Sequence, residues 1–358
     1  MKILHIINNL GSGGAEKLLV NYLRFDKSKF EHFIYLLSDK NNVYLEELKQ
    51  LNITLKISNR KSIYSPLHIK DIIKYIKKID ANVVHSHLFP SFYWVGLVAK
   101  KVKGPKYIVT EHGSTNHRRR IIFIRSLEMY IYSSFDNIIC ISKSVFSSLD
   151  DWLKFKFSNK MLIVLNGIKL NNSSQKIKSS NKYDFDLQDN DFVIAMIARF
   201  TEEKNHKILI KALRKTSIPF KLLLVGEGKL RQKIERLVSI NKLENKIFFT
   251  GFIKDVENIY SIADLIVMPS KHEGFGITAI EAMSFGIPLI VSNISSLKEI
   301  TADGAITFKS GNSSSLAEKI ELVFYSKPNK NLTIRSIKQA QNYSIENTIF
   351  RINQIYSK

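Results

Sequence analysis

One cysteine, Cys140, stands in 358 residues, so an internal disulfide is excluded and a reducing, cytoplasmic setting is expected. No apolar run approaches the ~18 residues that span a bilayer; Phe92 to Ala99 is apolar but too short. The start, Met1-Lys2-Ile3-Leu4-His5, carries one lysine and meets Asn8-Asn9 at once, which makes it a poor signal peptide. Zinc-finger spacing is missing, and so is any RNA-binding signature with interleaved aromatics. Nucleic acid is therefore not the expected partner, although the net charge is +22. Both halves of the chain are basic. An anionic membrane face or a phosphate-bearing substrate fits that charge better.

What the chain does have is alternation. Lys2–Ile7, His32–Leu37, Ile53–Ile57, Asn82–His85, Lys106–Thr110, Asn137–Ile141 and Met161–Leu165 are short, β-branched and apolar without a period of two. Strands covered on both faces read this way. Segments such as Leu67–Ile79 and Phe92–Lys101 fit crossover helices between them. Residues 171–181 are Asn, Ser and Lys with almost nothing to bury, and read as a linker. The pattern then restarts at Phe192–Ala198, Phe220–Val225, Lys246–Thr250, Asp264–Met268, Pro288–Val291 and Ala305–Phe308. Two doubly wound α/β domains are expected, residues 1–168 and 169–330, with a crevice available between them. Residues 331–358 read as a helical tail that could pack back on the first domain.

Two segments of the second half carry chemistry. Glu273-Gly274-Phe275-Gly276-Ile277-Thr278-Ala279-Ile280-Glu281 follows a strand and opens a helix. Free N–H groups at Gly276, Ile277 and Thr278, with the helix dipole, suit a diphosphate. Glu273 can accept from sugar hydroxyls and Glu281 from ribose. Ala198-Arg199-Phe200-Thr201-Glu202-Glu203-Lys204 follows the first strand of that half. Arg199 and Lys204, five apart, can neutralise a departing diphosphate.

Together these segments resemble glycosyltransferase family 4, whose members adopt the GT-B fold. Val225-Gly226-Glu227-Gly228, Gly251-Phe252 before Asp255, and Gly11-Ser12-Gly13-Gly14-Ala15-Glu16 add to the likeness. The resemblance implies transfer of a sugar from a nucleotide-sugar donor, with retention and with no metal or other cofactor. It implies donor contacts at Arg199, Lys204, Gly226, Gly274, Phe275, Gly276, Ile277, Thr278 and Glu281, with Gly251 to Ile253 against the base. Gly13 and Gly14 are expected to approach the phosphate from the first domain. Glu273 and His112 are the expected catalytic residues. His112 sits in Thr110-Glu111-His112-Gly113 at a strand end, where such sheets put their crevice.

Other signals are weaker. His85-Ser86-His87 with Glu111-His112 offers zinc-type donors; His85 reads as structural and His87 as near the acceptor. Asp184-Phe185-Asp186 has the spacing of metal-using glycosyltransferases but lies in a polar stretch, so chance explains it. In His117-Arg118-Arg119-Arg120-Ile121-Ile122-Phe123, Arg118, Arg119 and Arg120 are candidates to touch an anionic membrane or a polyprenyl-linked acceptor. The alternative there is a core helix with a solvated basic start. An epimerase of the same fold and a non-catalytic accessory subunit are the competing functions.

Overall fold

The structure, a computed structural model, describes residues 1–11, 13–113, 117–170, 185, 187–326 and 330–358. Ser12, the linker at 171–181, and Asp184 and Asp186 lie outside the described residues. The chain divides into two compact units, residues 1–169 with 344–358, and residues 170–343.

The first unit opens with β1 (Lys2–Ile7), α1 (Gly14–Phe25), β2 (Glu31–Leu36), α2 (Leu45–Gln50), β3 (Thr54–Ile57) and α3 (His68–Ile79). It continues with β4 (Val83–His87), α4 (Ser91–Ala99), β5 (Lys106–Glu111), α5 (Ile122–Tyr132), β6 (Asn137–Cys140), α6 (Lys143–Trp152) and β7 (Met161–Ile163). All seven strands pair in parallel, in the order β3-β2-β1-β4-β5-β6-β7. Helices form where the apolar period is 3.6. In α3, Ile72, Tyr75, Ile76 and Ile79 are buried while Lys70, Lys74, Lys77 and Lys78 are not. Ser142 caps α6 by accepting from the Val145 N–H at 3.1 Å, which satisfies one of the helix's orphan donors.

The second unit holds β8 (Val193–Ile197), α7 (His206–Leu213), β9 (Lys221–Val225), α8 (Arg231–Ile240), β10 (Ile247–Gly251), α9 (Glu257–Ile262) and β11 (Leu265–Met268). Then come α10 (Ile277–Ser284), β12 (Leu289–Ser292), α11 (Ser295–Thr301), β13 (Ile306–Phe308), α12 (Ser313–Tyr325) and α13 (Lys330–Gln341). Its strands are also all parallel, in the order β10-β9-β8-β11-β12-β13.

The tail is two helices with different allegiances. α13 belongs to the second unit, while α14 (Ile345–Ser357) belongs to the first. Thr348 of α14 donates to the Leu165 carbonyl at 2.8 Å, and Ile345, Ile349, Ile355 and Tyr356 join the first unit's core. No helix among the described residues is long and apolar enough to cross a membrane.

Candidate functional site

In a parallel sheet every strand points its carboxyl end to the same edge, and ligands collect where the strand order reverses. In the second unit that reversal lies between β8 and β11. The loop after β8 carries Arg199 and Lys204, and the loop after β11 carries Glu273. The two loops are tied by their backbones: Lys271 N–H donates to the Glu203 carbonyl at 2.7 Å, and Asn205 Nδ2 to the Pro269 carbonyl at 3.4 Å. Side chains complete the junction. Lys204 Nζ lies 2.5 Å from Glu273 Oε1, and Ser270 Oγ donates to the same oxygen at 2.8 Å. Glu273 is buried, and the Lys204 side chain is 22% exposed, so the pair is largely shielded from solvent. Arg199, by contrast, is exposed and makes no ion pair among the described residues.

Gly276 starts α10 with φ +90°, a conformation glycine adopts at no steric cost. The first-turn N–H groups of Ile277 and Thr278, which have no partner within the helix, follow it, and Thr278 Oγ1 donates to the Ile197 carbonyl at 3.4 Å. That bond sets the helix start against the carboxyl end of β8. Phe275 is buried edge-on to Tyr343 with ring centroids 5.6 Å apart, so it is an anchor for Gly274 and Gly276. Glu281, one oxygen of which accepts from Tyr260 at 2.8 Å, lies in the second turn of α10. Gly226, at φ +139°, lets β9 pass close to β8, since a Cβ there would run into the Ala198 carbonyl. Ile253 is half-buried just past β10.

In the first unit the order reverses between β1 and β4. The turn after β1 brings Gly13 as the extended N-cap of α1 and Gly14 as its first residue. β4 ends at His87, and His112 follows β5. Burial pushes His112 down to about 4, and both its ring nitrogens are buried without a hydrogen-bond partner among the described residues. The His87 and His112 rings lie 6.0 Å apart.

Arg118 and Arg119 are not where a membrane contact needs them. Arg118 stacks on Phe89 at 3.8 Å and faces the fully buried Glu128 at 3.3 Å. Arg119, with a side chain 9% exposed, sits 3.6 Å from Glu111. Both turn inward because Glu111 and Glu128 are buried carboxylates that need cations. The side chain of Arg120 is outside the described residues. What α5 and its start expose instead is apolar: Ile121, Ile122 and Phe123, the last 88% exposed.

Several participants escaped the sequence reading. Ser270 and Tyr260, which hold Glu273 and Glu281, sit in strings that read simply as core. His5 and His32 lie inside apolar strands, yet both join a histidine cluster with His85 and His87. Ring nitrogens of His5, His85 and His87 fall within 4.8 Å of one another, a spacing open to a metal. However, His85 is already held at both nitrogens, by Tyr356 OH at 2.6 Å and Thr110 Oγ1 at 2.7 Å.

Comparison with known proteins bears on the family and the fold. An O-antigen biosynthesis glycosyltransferase, WclY, from Escherichia coli is 25% identical over 346 residues, covering 92% of this chain and 90% of its own. An Escherichia coli UDP-Gal:alpha-D-GlcNAc-diphosphoundecaprenol alpha-1,3-galactosyltransferase is 26% identical over 258 residues, covering 68% of this chain and 64% of its own. The Anabaena protein Alr3699/HepE, crystallised with UDP and glucose, superposes with a TM-score of 0.86 at 17% identity, over 100% of this chain and 99% of that one. Residues 12–172 match the model of Glycosyltransferase Family 4 and residues 178–344 that of Glycosyl transferases group 1. The two matches follow one another along almost the whole chain, and the protein belongs to the family 4 glycosyltransferases of GT-B fold.

Proposed function

We propose that the second unit binds a nucleotide-sugar donor and that the first serves a saccharide or lipid-linked acceptor, in the assembly of a bacterial surface polysaccharide at the cytoplasmic face of the membrane. The observation that carries this reading is the Lys204–Glu273 pair beside the start of α10. A cation, a carboxylate and free backbone N–H groups stand together there. Lys204 and the exposed Arg199 offset the charge that grows on a leaving diphosphate, and the N–H groups donate to its oxygens. Glu273, held by Lys204 and Ser270, is the carboxylate offered to the hydroxyls of the transferred sugar. Glu281 takes the ribose, and the Gly251–Ile253 turn lies against the base.

UDP is the favoured nucleotide, because Alr3699/HepE was solved with UDP-glucose and the galactosyltransferase relative is named for UDP-Gal. GDP-sugars are the alternative. A diphosphoundecaprenol in that relative's name supports a lipid-linked acceptor. The apolar patch at Ile121, Ile122 and Phe123 suits a membrane surface, with Lys and Arg elsewhere supplying the charge. Retention of configuration is part of the proposal and comes from the family. So does chemistry without a metal, since the cations and the helix start already supply positive charge.

The test is turnover across UDP-, GDP- and ADP-sugars, read as nucleoside diphosphate released, with and without saccharide acceptors. One nucleotide class is expected to be consumed, faster when acceptor is present. Consumption that yields only an epimerised nucleotide sugar would replace the reading with that of an epimerase.

A further inference from the structure

We infer that Tyr64, in the loop 58–67 between β3 and α3, is a stacking platform for a sugar ring of the acceptor. The loop lies at the carboxyl edge of the first sheet, where ligands collect. It does not stay over its own strand. β3 stands three places from β4 in the sheet order, roughly 14 Å away. Yet Trp94 Nε1 on α4, the helix after β4, donates to the Ile63 carbonyl at 2.8 Å. The Tyr64 ring lies 6.0 Å from that of Phe89, which sits just past the end of β4. The loop therefore reaches the place where the strand order reverses, between β1 and β4. Asn8, just past β1, meets the same residue: its Nδ2 donates to the Phe89 carbonyl at 2.7 Å.

Single apolar groups on a surface are ordinary; two features set Tyr64 apart. First, its loop is held from several sides. Arg60 donates to both oxygens of Asp71, at 2.7 and 3.0 Å, and His68 Nε2 and the Ser65 N–H both donate to the Ser62 carbonyl, at 3.0 and 3.1 Å. A ligand does not have to order such a loop. The ring it presents is left open: Tyr64 is 60% exposed, and its hydroxyl makes no hydrogen bond among the described residues. Second, the backbone opposite is strained. Leu88 has a φ of +64°, in the left-handed region that bulky residues rarely adopt, and Phe89 follows it, half-buried against Tyr64. Tyr93 stands edge-on to Phe89 at 5.0 Å, so Tyr64, Phe89 and Tyr93 form one aromatic wall.

The chemistry of the wall selects the ligand. Arg118 stacks on Phe89 but is paired with Glu128, and Arg60 is paired with Asp71. Exposed Lys61 is the loop's one cation outside an ion pair among the described residues, so a phosphate finds little there. Asn59, Ser62 and Ser65 flank Tyr64 in the chain, which sets a flat apolar ring among amide and hydroxyl groups. A lipid chain needs a continuous apolar groove. A pyranose needs this mixture: C–H groups on one face lie on an aromatic ring, and hydroxyls at its rim meet polar neighbours. The first unit reads a sugar ring by stacking, whatever carries that sugar.

That the sugar is the acceptor's rests on the transferase reading; the stacking does not. Saturation-transfer NMR of the full chain with the methyl β-glycosides of glucose, galactose and N-acetylglucosamine tests it. At least one glycoside is expected to bind, with saturation strongest on the C–H groups of one ring face. Tyr64→Ala, an exposed change that leaves the loop's braces in place, is expected to weaken that binding about tenfold. Tyr64→Phe is expected to keep it, because the ring carries the contact. No binding of any glycoside, or equal binding by Tyr64→Ala and the wild type, overturns the proposal. So does a signal that survives Tyr64→Ala and disappears in Glu273→Gln, which puts the sugar in the donor site. Weaker binding of Tyr64→Ala to phosphatidylglycerol vesicles, with glycoside binding unchanged, makes the wall a membrane surface and also overturns it. If a glycoside binds through Tyr64 but the wild type consumes no nucleotide sugar, the transferase reading fails and the stacking platform stands.

Discussion

Glu273 is the residue on which the proposed donor site turns. It is buried, and its Oε1 is shared by Lys204 and Ser270. Replacing it by Gln keeps the volume but removes the charge that fixes the Lys204 ammonium and that, on the proposed reading, meets the sugar. Donor turnover is expected to fall roughly 10²-fold or more in Glu273→Gln, with the folded state retained by circular dichroism. Wild-type turnover in that variant contradicts the assignment. The buried histidines make a second claim at this scale. Burial holds His112 and His206 down to about 4, and pushes His5, His85 and His87 well below their usual value, so all five are neutral in the fold. Once unfolded, they take up protons below about pH 6.5. The unfolded state then binds more protons, and stability falls as pH drops through the window from 6.5 towards 4. The thermal midpoint is expected to decline most steeply there, and a flat midpoint across that range contradicts the neutral, buried assignment.

At the scale of elements, glycine decides how closely loops approach. Gly226→Ala puts a methyl against the Ala198 carbonyl at a φ of +139°, so β9 and β8 have to part at their carboxyl ends. A loss on the order of 2 kcal/mol is expected in denaturant titration. A loss under about 0.5 kcal/mol, the level of an ordinary surface change, means the approach is slack. The strands themselves were legible in the sequence, because a strand covered on both faces is an unbroken β-branched run. Their ends were less so. β4 reads as ending at His85, yet it continues to His87, because Ser86 and His87 are buried with their hydrogen bonds largely met inside the fold. The loops of the second unit were legible because each motif is contiguous. The histidine cluster was not, since His5 and His85 become neighbours only through the β1–β4 register. The same limit hid the inward turn of Arg118 and Arg119: their partners, Glu128 and Glu111, are buried on other elements.

At the scale of the whole molecule, each unit has its own sheet and core, and the last helix, α14, rejoins the first unit. Its Asn353 and Tyr356 reach Asp26 and His85, so the chain's end supports the first unit's buried polar cluster. Most of the proposed donor groups, by contrast, belong to the second unit: Arg199, Lys204, Gly226, Ile253, Glu273 and Glu281, with Gly13 and Gly14 alone in the first. On the proposed reading, donor affinity rests mainly on that unit's loops. Titration calorimetry of UDP-, GDP- and ADP-sugars into the full chain and into Lys204→Met tests this most directly. The wild type is expected to bind one nucleotide class, and the variant to bind the same sugar at least tenfold more weakly. Equal binding by both proteins, or binding of no nucleotide sugar by the wild type, contradicts the account.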